Sequence, residues 1–228
     1  MPRDCGAIIV AAGRGTRVGG DVPKQFLELA GAPVLLHAIR PFVSHPDICQ
    51  VVVVLSPTDA ADPPPWLAAH VGELLAVVAG GDERSASVAA GLAALGPACT
   101  IVLVHDGARP FPPRTVIDEG IAIARNGHGA VPAIPVGDTI KRADEYGQVL
   151  TTVARDGLWR AQTPQAFPRD VLARAHAAAQ AEGLCATDDA GLVERMGERI
   201  QLIPGSPRNV KITTPDDVLM AQWLAAQR

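Results

Sequence analysis

Three clusters in the sequence set glycine beside charged or hydroxyl side chains directly after an apolar run. The first follows Ala7–Ala12, where Gly13, Gly15, Gly19 and Gly20 are threaded with Arg14, Arg17 and, after Pro23, Lys24. Glycine lets the backbone approach a ligand and turn its N–H groups toward it, and cations spaced along such a turn suit an anion. The turn therefore reads as a cradle for phosphates. It is neither a P-loop, since no GxxxxGK[ST] string occurs, nor a GxGxxG fingerprint, since Val18 stands at the third glycine. The second cluster is Gly80-Gly81-Asp82-Glu83-Arg84-Ser85 with Ser87 beyond it. Gly80, Asp82 and Ser87 either present backbone and short polar groups to a base or form an ordinary strand-end turn and helix cap. The third is His105-Asp106-Gly107-Ala108-Arg109-Pro110. An aspartate there holds a metal ion, meets a ribose or substrate hydroxyl, or caps a turn. Arg109 binds phosphate or lies on the surface, and His105, with no second histidine near it in sequence, reads as a packed residue.

Two more cations stand apart. Arg155 lies in Ala154-Arg155-Asp156-Gly157-Leu158-Trp159, and Lys211 lies in the apolar stretch Val210-Lys211-Ile212. Lys211 is either on the solvent face of an alternating strand or aimed at an anion, and periodicity does not separate the two. No Ser-His-Asp or Cys-His arrangement asks for explanation.

The elements that position these residues alternate. Apolar or β-branched runs at Ala7–Ala12, Val51–Leu55, Leu74–Val78, Ile101–Val104 and Gly129–Ile134 predict strands. Between them, Pro33–Ser44, Ser85–Leu95 and Pro113–Arg125 predict helices, with Pro41 as a kink or early end. This is the pattern of an α/β fold with a mostly parallel, doubly wound sheet, in which ligands sit beyond the carboxyl ends of the strands. All three clusters fall at such ends, which makes them one site. The alternation breaks at Val136–Arg155, which has no helical apolar stripe and predicts a two-stranded arm turning near Asp144-Glu145-Tyr146-Gly147. A lone hairpin is marginal in water, so the arm packs on a partner subunit or folds back on its own domain. Further on come a helix at Pro168–Ala181, an N-cap with acidic first-turn residues at Thr187-Asp188-Asp189, and short strands at Arg199–Ile203 and Asn209–Ile212. A final helix is capped by Thr214-Pro215-Asp216-Asp217. With no repeat or low-complexity linker, the 228 residues read as a single domain bearing an arm.

At 48% hydrophobic residues the chain has material for a sizeable core, and its net charge of -4 argues against a general nucleic-acid or membrane-surface binder. No apolar run reaches membrane-spanning length, and residues 1–12 lack the layout of a signal peptide. Cys5, Cys49, Cys99 and Cys185 form no CxxC pair, so they are expected to be reduced thiols of a cytoplasmic protein rather than zinc ligands.

Taken in order, AAGRGTR, PKQ, GGDERSASV, HDGARPF, GDTIKR, TPQ and NVKIT resemble the 2-C-methyl-D-erythritol 4-phosphate cytidylyltransferases over nearly the whole chain. AAGxGxR alone is shared by many sugar nucleotidyltransferases; the later motifs make the resemblance specific. It implies a Rossmann-like domain with a protruding β-arm, a homodimer, and transfer from CTP to methylerythritol phosphate with Mg²⁺ and release of pyrophosphate, in the non-mevalonate route to isoprenoids. It further implies that Arg17 and Lys24 stabilise the transition state and that Arg155 and Lys211 position the methylerythritol phosphate. Ala11, Ala12, Gly13 and Gly15 in the first turn, with Gly80, Asp82 and Ser87, would hold the nucleotide. Asp106, also the candidate metal ligand, would line the second substrate's pocket with Arg109 and Thr139. Val18 stands where many members have Met and Gly107 where many have Ala; neither change removes a charge, and Gly107 is expected to loosen the pocket slightly. The rival within the class is a cytidylyltransferase for another polyol phosphate such as ribitol 5-phosphate. The rival outside it is a non-catalytic nucleotide sensor, which the retained Arg17 and Lys24 count against.

Overall fold

Three β-branched or aliphatic runs form the centre of the sheet because they are apolar on both faces. The computed structural model describes residues 2–13, 22–184 and 186–227. Arg14, Gly15, Arg17, Val18, Gly19 and Gly20 of the first cluster, and Cys185, lie outside the described residues.

The chain runs through β1 (Cys5–Val10), a small ribbon of β2 (Glu28–Leu29) and β3 (Ala32–Pro33), and helix α1 (Val34–Val43). Strand β4 (Ile48–Leu55) leads through short helices α2 (Pro57–Ala61) and α3 (Pro65–Ala68) to β5 (Leu75–Ala79) and α4 (Arg84–Ala94). Then come β6 (Ile101–Asp106), α5 (Arg114–Arg125) and β7 (Gly129–Pro135). A hairpin of β8 (Ile140–Ala143) and β9 (Val149–Val153) precedes β10 (Trp159–Ala161) and β11 (Gln165–Pro168). Helices α6 (Arg169–Glu182) and α7 (Asp189–Arg195), strand β12 (Ile200–Pro204) and helix α8 (Pro215–Ala225) complete it.

The main sheet has the order β10-β7-β11-β6-β1-β4-β5, with β12 also paired to β7. Strands β5, β4, β1 and β6 are mutually parallel, and β12 is parallel to β7. Alternation sorts the side chains. Ala7, Ile9, Val51, Val53 and Leu103 pack with α1 and α5 on one face, while Ile8, Val52, Val54, Val102 and Val104 pack with α4 and α6 on the other. A smaller cluster of Leu29, Val34, Phe111, Ile212 and Leu224 seats α8.

The structure differs from these expectations in two places. Trp159–Ala161 and Gln165–Pro168, unassigned in the sequence, are strands, and β11 enters the sheet antiparallel to both β6 and β7. They are only three and four residues long, too short to show a period. Asn209–Ile212 is not a strand: the Ile212 N–H donates to the Ala108 carbonyl, but no ladder follows. The helix expected over Pro33–Ser44 is present as α1, and Pro41 lies inside it without ending it early. The expected N-cap before α7 is present: Asp188 caps the helix by accepting from the Gly191 N–H, and Asp189 is the acidic residue of its first turn, buried at 1% exposure.

Candidate functional site

At the carboxyl ends of β1, β5 and β6 the chain encloses a cavity of about 300 Å³, lined by residues of all three sequence clusters. The first turn leaves β1 with the Ala11 N–H donating to the Val54 carbonyl at 2.8 Å. The buried Gln25 amide then donates to the Ala11 carbonyl at 3.0 Å, tying the Lys24–Phe26 turn back to the turn that holds Ala11, Ala12 and Gly13. That bond explains the place of Lys24, which lines the cavity together with Asp106 at the exit of β6.

The second wall is the turn from β5 into α4. Gly81, Asp82, Glu83, Arg84 and Ser87 face the cavity, so the positive end of an eleven-residue helix points at it. Gly80 lies just behind. Its N–H donates to the Leu55 carbonyl at 2.7 Å, and a Cβ there would sit 2.5 Å from Ser87 Oγ and 2.8 Å from Ala12 Cβ. Only glycine lets the two turns approach this closely. Gly107 is also close-packed: a Cβ would lie 3.0 Å from both Ala11 Cβ and Leu35 Cδ1, so an alanine there would need its neighbours to give by a few tenths of an ångström.

Asp106 closes the third side. Its backbone N–H donates to Thr163 Oγ1 at 3.0 Å. Its carboxylate meets three cations: Lys211 Nζ at 2.8 Å, Arg84 Nε at 3.4 Å and Arg109 Nε at 3.6 Å. Burial works to raise the Asp106 pKa, but the charges of Lys211, Arg84 and Arg109 outweigh it and hold the carboxyl well below the usual carboxylate range. Arg109 Nη1 donates to the Asn209 carbonyl at 2.8 Å, and the Asn209 amide donates to the Thr163 carbonyl at 2.8 Å. These bonds hold the 209–212 segment against the loop after β6 and turn Lys211 inward. Of the two readings of Lys211, the structure selects the one facing the cavity.

Arg84 had no role in the sequence reading. It bridges Asp106 to Asp189, with Nη1 at 2.7 Å from Asp189 Oδ2, and His176 Nε2 lies 2.9 Å from the other oxygen of Asp189. Its Nη2 is buried with no partner among the described residues. A signal existed: an arginine in the first turn of a helix opposes the macrodipole and needs an acidic partner. His105 is fully buried as expected, with Nε2 at 2.9 Å from the Arg109 carbonyl and Nδ1 at 3.0 Å from Thr163 Oγ1. Burial pushes it down to about 4, so it is neutral at pH 7 and both nitrogens are occupied.

The cavity thus brings together Ala11, Ala12, Gly13, Lys24, Asp82, Ser87, Asp106 and Lys211, with Gly80 behind its wall and Arg109 beside Asp106. It does not include Thr139 or Arg155. Both are exposed on the stem of the β8–β9 hairpin, where Arg155 Nη1 donates to the Gly137 carbonyl. Gly15 and Arg17 lie outside the described residues.

The family model of 2-C-methyl-D-erythritol 4-phosphate cytidylyltransferase matches residues 5–227. A curated relative of that name from Desulforamulus reducens is 41% identical over 224 residues, covering 97% of this chain and 96% of the relative. One from Xanthomonas campestris pv. campestris is 45% identical over 226 residues, covering 97% and 84%. Among solved structures, the 4-diphosphocytidyl-2C-methyl-D-erythritol synthase of Anaerococcus prevotii superposes with a TM-score of 0.84 at 30% identity, covering 99% of this chain and 96% of that one. The 2-C-methyl-D-erythritol 4-phosphate cytidylyltransferase of Thermus thermophilus gives 0.81 at 34% identity, covering 96% and 98%.

Proposed function

The chain belongs to the 2-C-methyl-D-erythritol 4-phosphate cytidylyltransferase family, and from that membership we propose that it transfers the cytidylyl group of CTP to 2-C-methyl-D-erythritol 4-phosphate, releasing pyrophosphate. The observation that carries the proposal is the convergence of three glycine-bearing turns on one cavity that Lys24, Asp106 and Lys211 line together. Ala11–Gly13, Gly80, Asp82 and Ser87 hold the cytidine. Lys24, with Arg17, neutralises charge on the triphosphate. Lys211 and Arg109, steadied by Asp106, receive the acceptor.

The chemistry needs no general base. A phosphomonoester has a second pKa of about 6, so it is mostly dianionic at pH 7 and attacks unaided. The barrier is the approach of one anion to another, which fixed cations lower. His105 takes no part in proton transfer, because it is buried and both its nitrogens are hydrogen-bonded. The test is pyrophosphate release: turnover is expected with CTP and methylerythritol phosphate and is far lower with ATP or GTP. Better turnover of ribitol 5-phosphate than of methylerythritol phosphate overturns the substrate assignment.

The reading includes Mg²⁺, which binds through one or two carboxylates and completes its shell with substrate phosphates and water. Asp106 is the carboxylate assigned to the ion, but both its oxygens are paired with Arg84, Arg109 and Lys211, so the ion would be held chiefly by the triphosphate and water, with Asp106 at most one ligand. Bound there with the nucleotide, the ion supplies neutralising charge. EDTA is expected to stop turnover and added Mg²⁺ to restore it; activity that persists in EDTA removes the ion from the proposal.

The proposal also takes the enzyme as a homodimer joined through the β8–β9 arm, so that Thr139 and Arg155 reach the partner's cavity. The hairpin supports this. It forms a separate two-stranded sheet, and its Tyr146, Val149 and Leu150 are 81%, 62% and 62% exposed, a largely apolar surface left uncovered among the described residues. We place the enzyme in the cytoplasm, in keeping with the cysteine spacing, which contains no CxxC pair.

A further inference from the structure

We propose that Arg160 is a binding residue for the phosphate of the acceptor, acting beside Arg109 and Lys211; this rests on the polyol-phosphate reading above. A second cavity, of about 390 Å³, adjoins the first and shares Lys211 with it. It also takes in Arg109, Arg160 and Asp217.

The sheet fixes where Arg160 starts. In β10 it lies opposite Ile134 of β7, and its neighbours Trp159 and Ala161 point to the other face. Two residues on, the chain is pinned on two sides: the Gln162 N–H donates to the Pro132 carbonyl at 2.7 Å, and Gln162 Oε1 accepts from the Ser206 N–H at 3.1 Å. Arg160 is therefore held in register at the cavity wall even though its side chain is open to solvent.

Charge then points to a ligand. Lys211 and Arg109 share one carboxylate, that of Asp106. Asp217, whose Oδ2 accepts from Thr213 N–H, Thr213 Oγ1 and Thr214 N–H at 2.6–2.8 Å, is a second carboxylate here, so Lys211, Arg109 and Arg160 outnumber the acids that face them and leave a positive excess. Arg160 makes no side-chain hydrogen bond or ion pair among the described residues. Three cations around one concave surface suit a phosphate dianion, and the arginine fork matches two of its oxygens. That dianion comes from the acceptor or from the triphosphate. The triphosphate is assigned to the glycine turn and Lys24, which line the first cavity and not the second, whereas Arg160 lines only the second. The acceptor phosphate is the source.

The experiment compares wild type, Arg160→Ala and Arg160→Lys, varying CTP and methylerythritol phosphate separately and running ribitol 5-phosphate in parallel. Loss of one charged hydrogen bond made equally in ground and transition states is expected to raise KM for the acceptor by about 10- to 100-fold, with kcat and KM for CTP within about twofold of wild type. Arg160→Lys keeps the charge and recovers part of the loss. An unchanged acceptor KM in Arg160→Ala overturns the proposal. So does a rise confined to CTP, which assigns Arg160 to the triphosphate. A wild type that uses only ribitol 5-phosphate refutes the methylerythritol phosphate reading, and the same KM comparison made with that acceptor still decides Arg160.

Discussion

Replacing Lys24 by alanine is expected to lower kcat by roughly a hundredfold or more, the scale found on removing one preorganised donor from a developing charge. The expectation follows from how the side chain is placed. Lys24 opens a short turn whose next residue, Gln25, is buried and donates to the Ala11 carbonyl at 3.0 Å. The ammonium is thus carried on a backbone anchored to the turn proposed to hold the nucleotide, and it would need little reorganisation as charge moves toward the leaving pyrophosphate. Binding of CTP is expected to weaken by less than kcat falls, because in the proposed function Lys24 is one of several groups that would meet the ground-state triphosphate. Steady-state kinetics with each substrate varied measures both quantities. A variant with near-normal kcat makes Lys24 a bystander. Gln25→Ala is the companion change: it leaves the ammonium in place but cuts its anchor, so it is expected to reduce kcat in the same direction.

The sequence shows those parts of the molecule whose physics is local. The central strands β1, β4 and β6 are readable because burial on both faces demands continuous aliphatic runs. The capping box of α8 is readable because Thr214 and Asp217 satisfy each other's backbone groups across one turn. The three clusters are readable as one site because a parallel sheet sends all its carboxyl ends the same way. What escapes is set by distant partners. Strands β10 and β11 exist because β7 and β6 offer open edges, not because Trp-Arg-Ala or Gln-Ala-Phe-Pro favours a strand alone. Lys211 turns inward because Asn209 is held by Thr163 and Arg109, from 46 and 100 residues away. Asp189 looks like an ordinary first-turn acid until Arg84, 105 residues earlier, is found against it. Thr139 and Arg155 carry a motif signal but line neither of the two cavities described above, and whether a second chain brings them to a site is something no local pattern encodes.

Coexpression of two inactive variants is expected to restore activity, because the arm would serve the other subunit's site. Lys24 lines the cavity of its own chain, while Arg155 stands on the stem of a hairpin that is separate from the main sheet. Suppose the arm crosses a two-fold axis. A dimer of one Lys24→Ala chain and one Arg155→Ala chain then has one site with both defects and one site with neither. Random assortment makes about half the dimers mixed, so about a quarter of all sites are intact in a symmetric pair. If the arm instead folds beside its own cavity, every site in every dimer keeps one defect, and mixing restores nothing. The assay sets activity of the coexpressed pair against each variant alone, with differently tagged chains to count mixed dimers. Recovery toward a quarter of wild type is the expected result. Mixed dimers without recovery overturn the crossed arm and leave the roles of Lys24, Asp106 and Lys211 standing, since those three residues share a cavity built by a single chain.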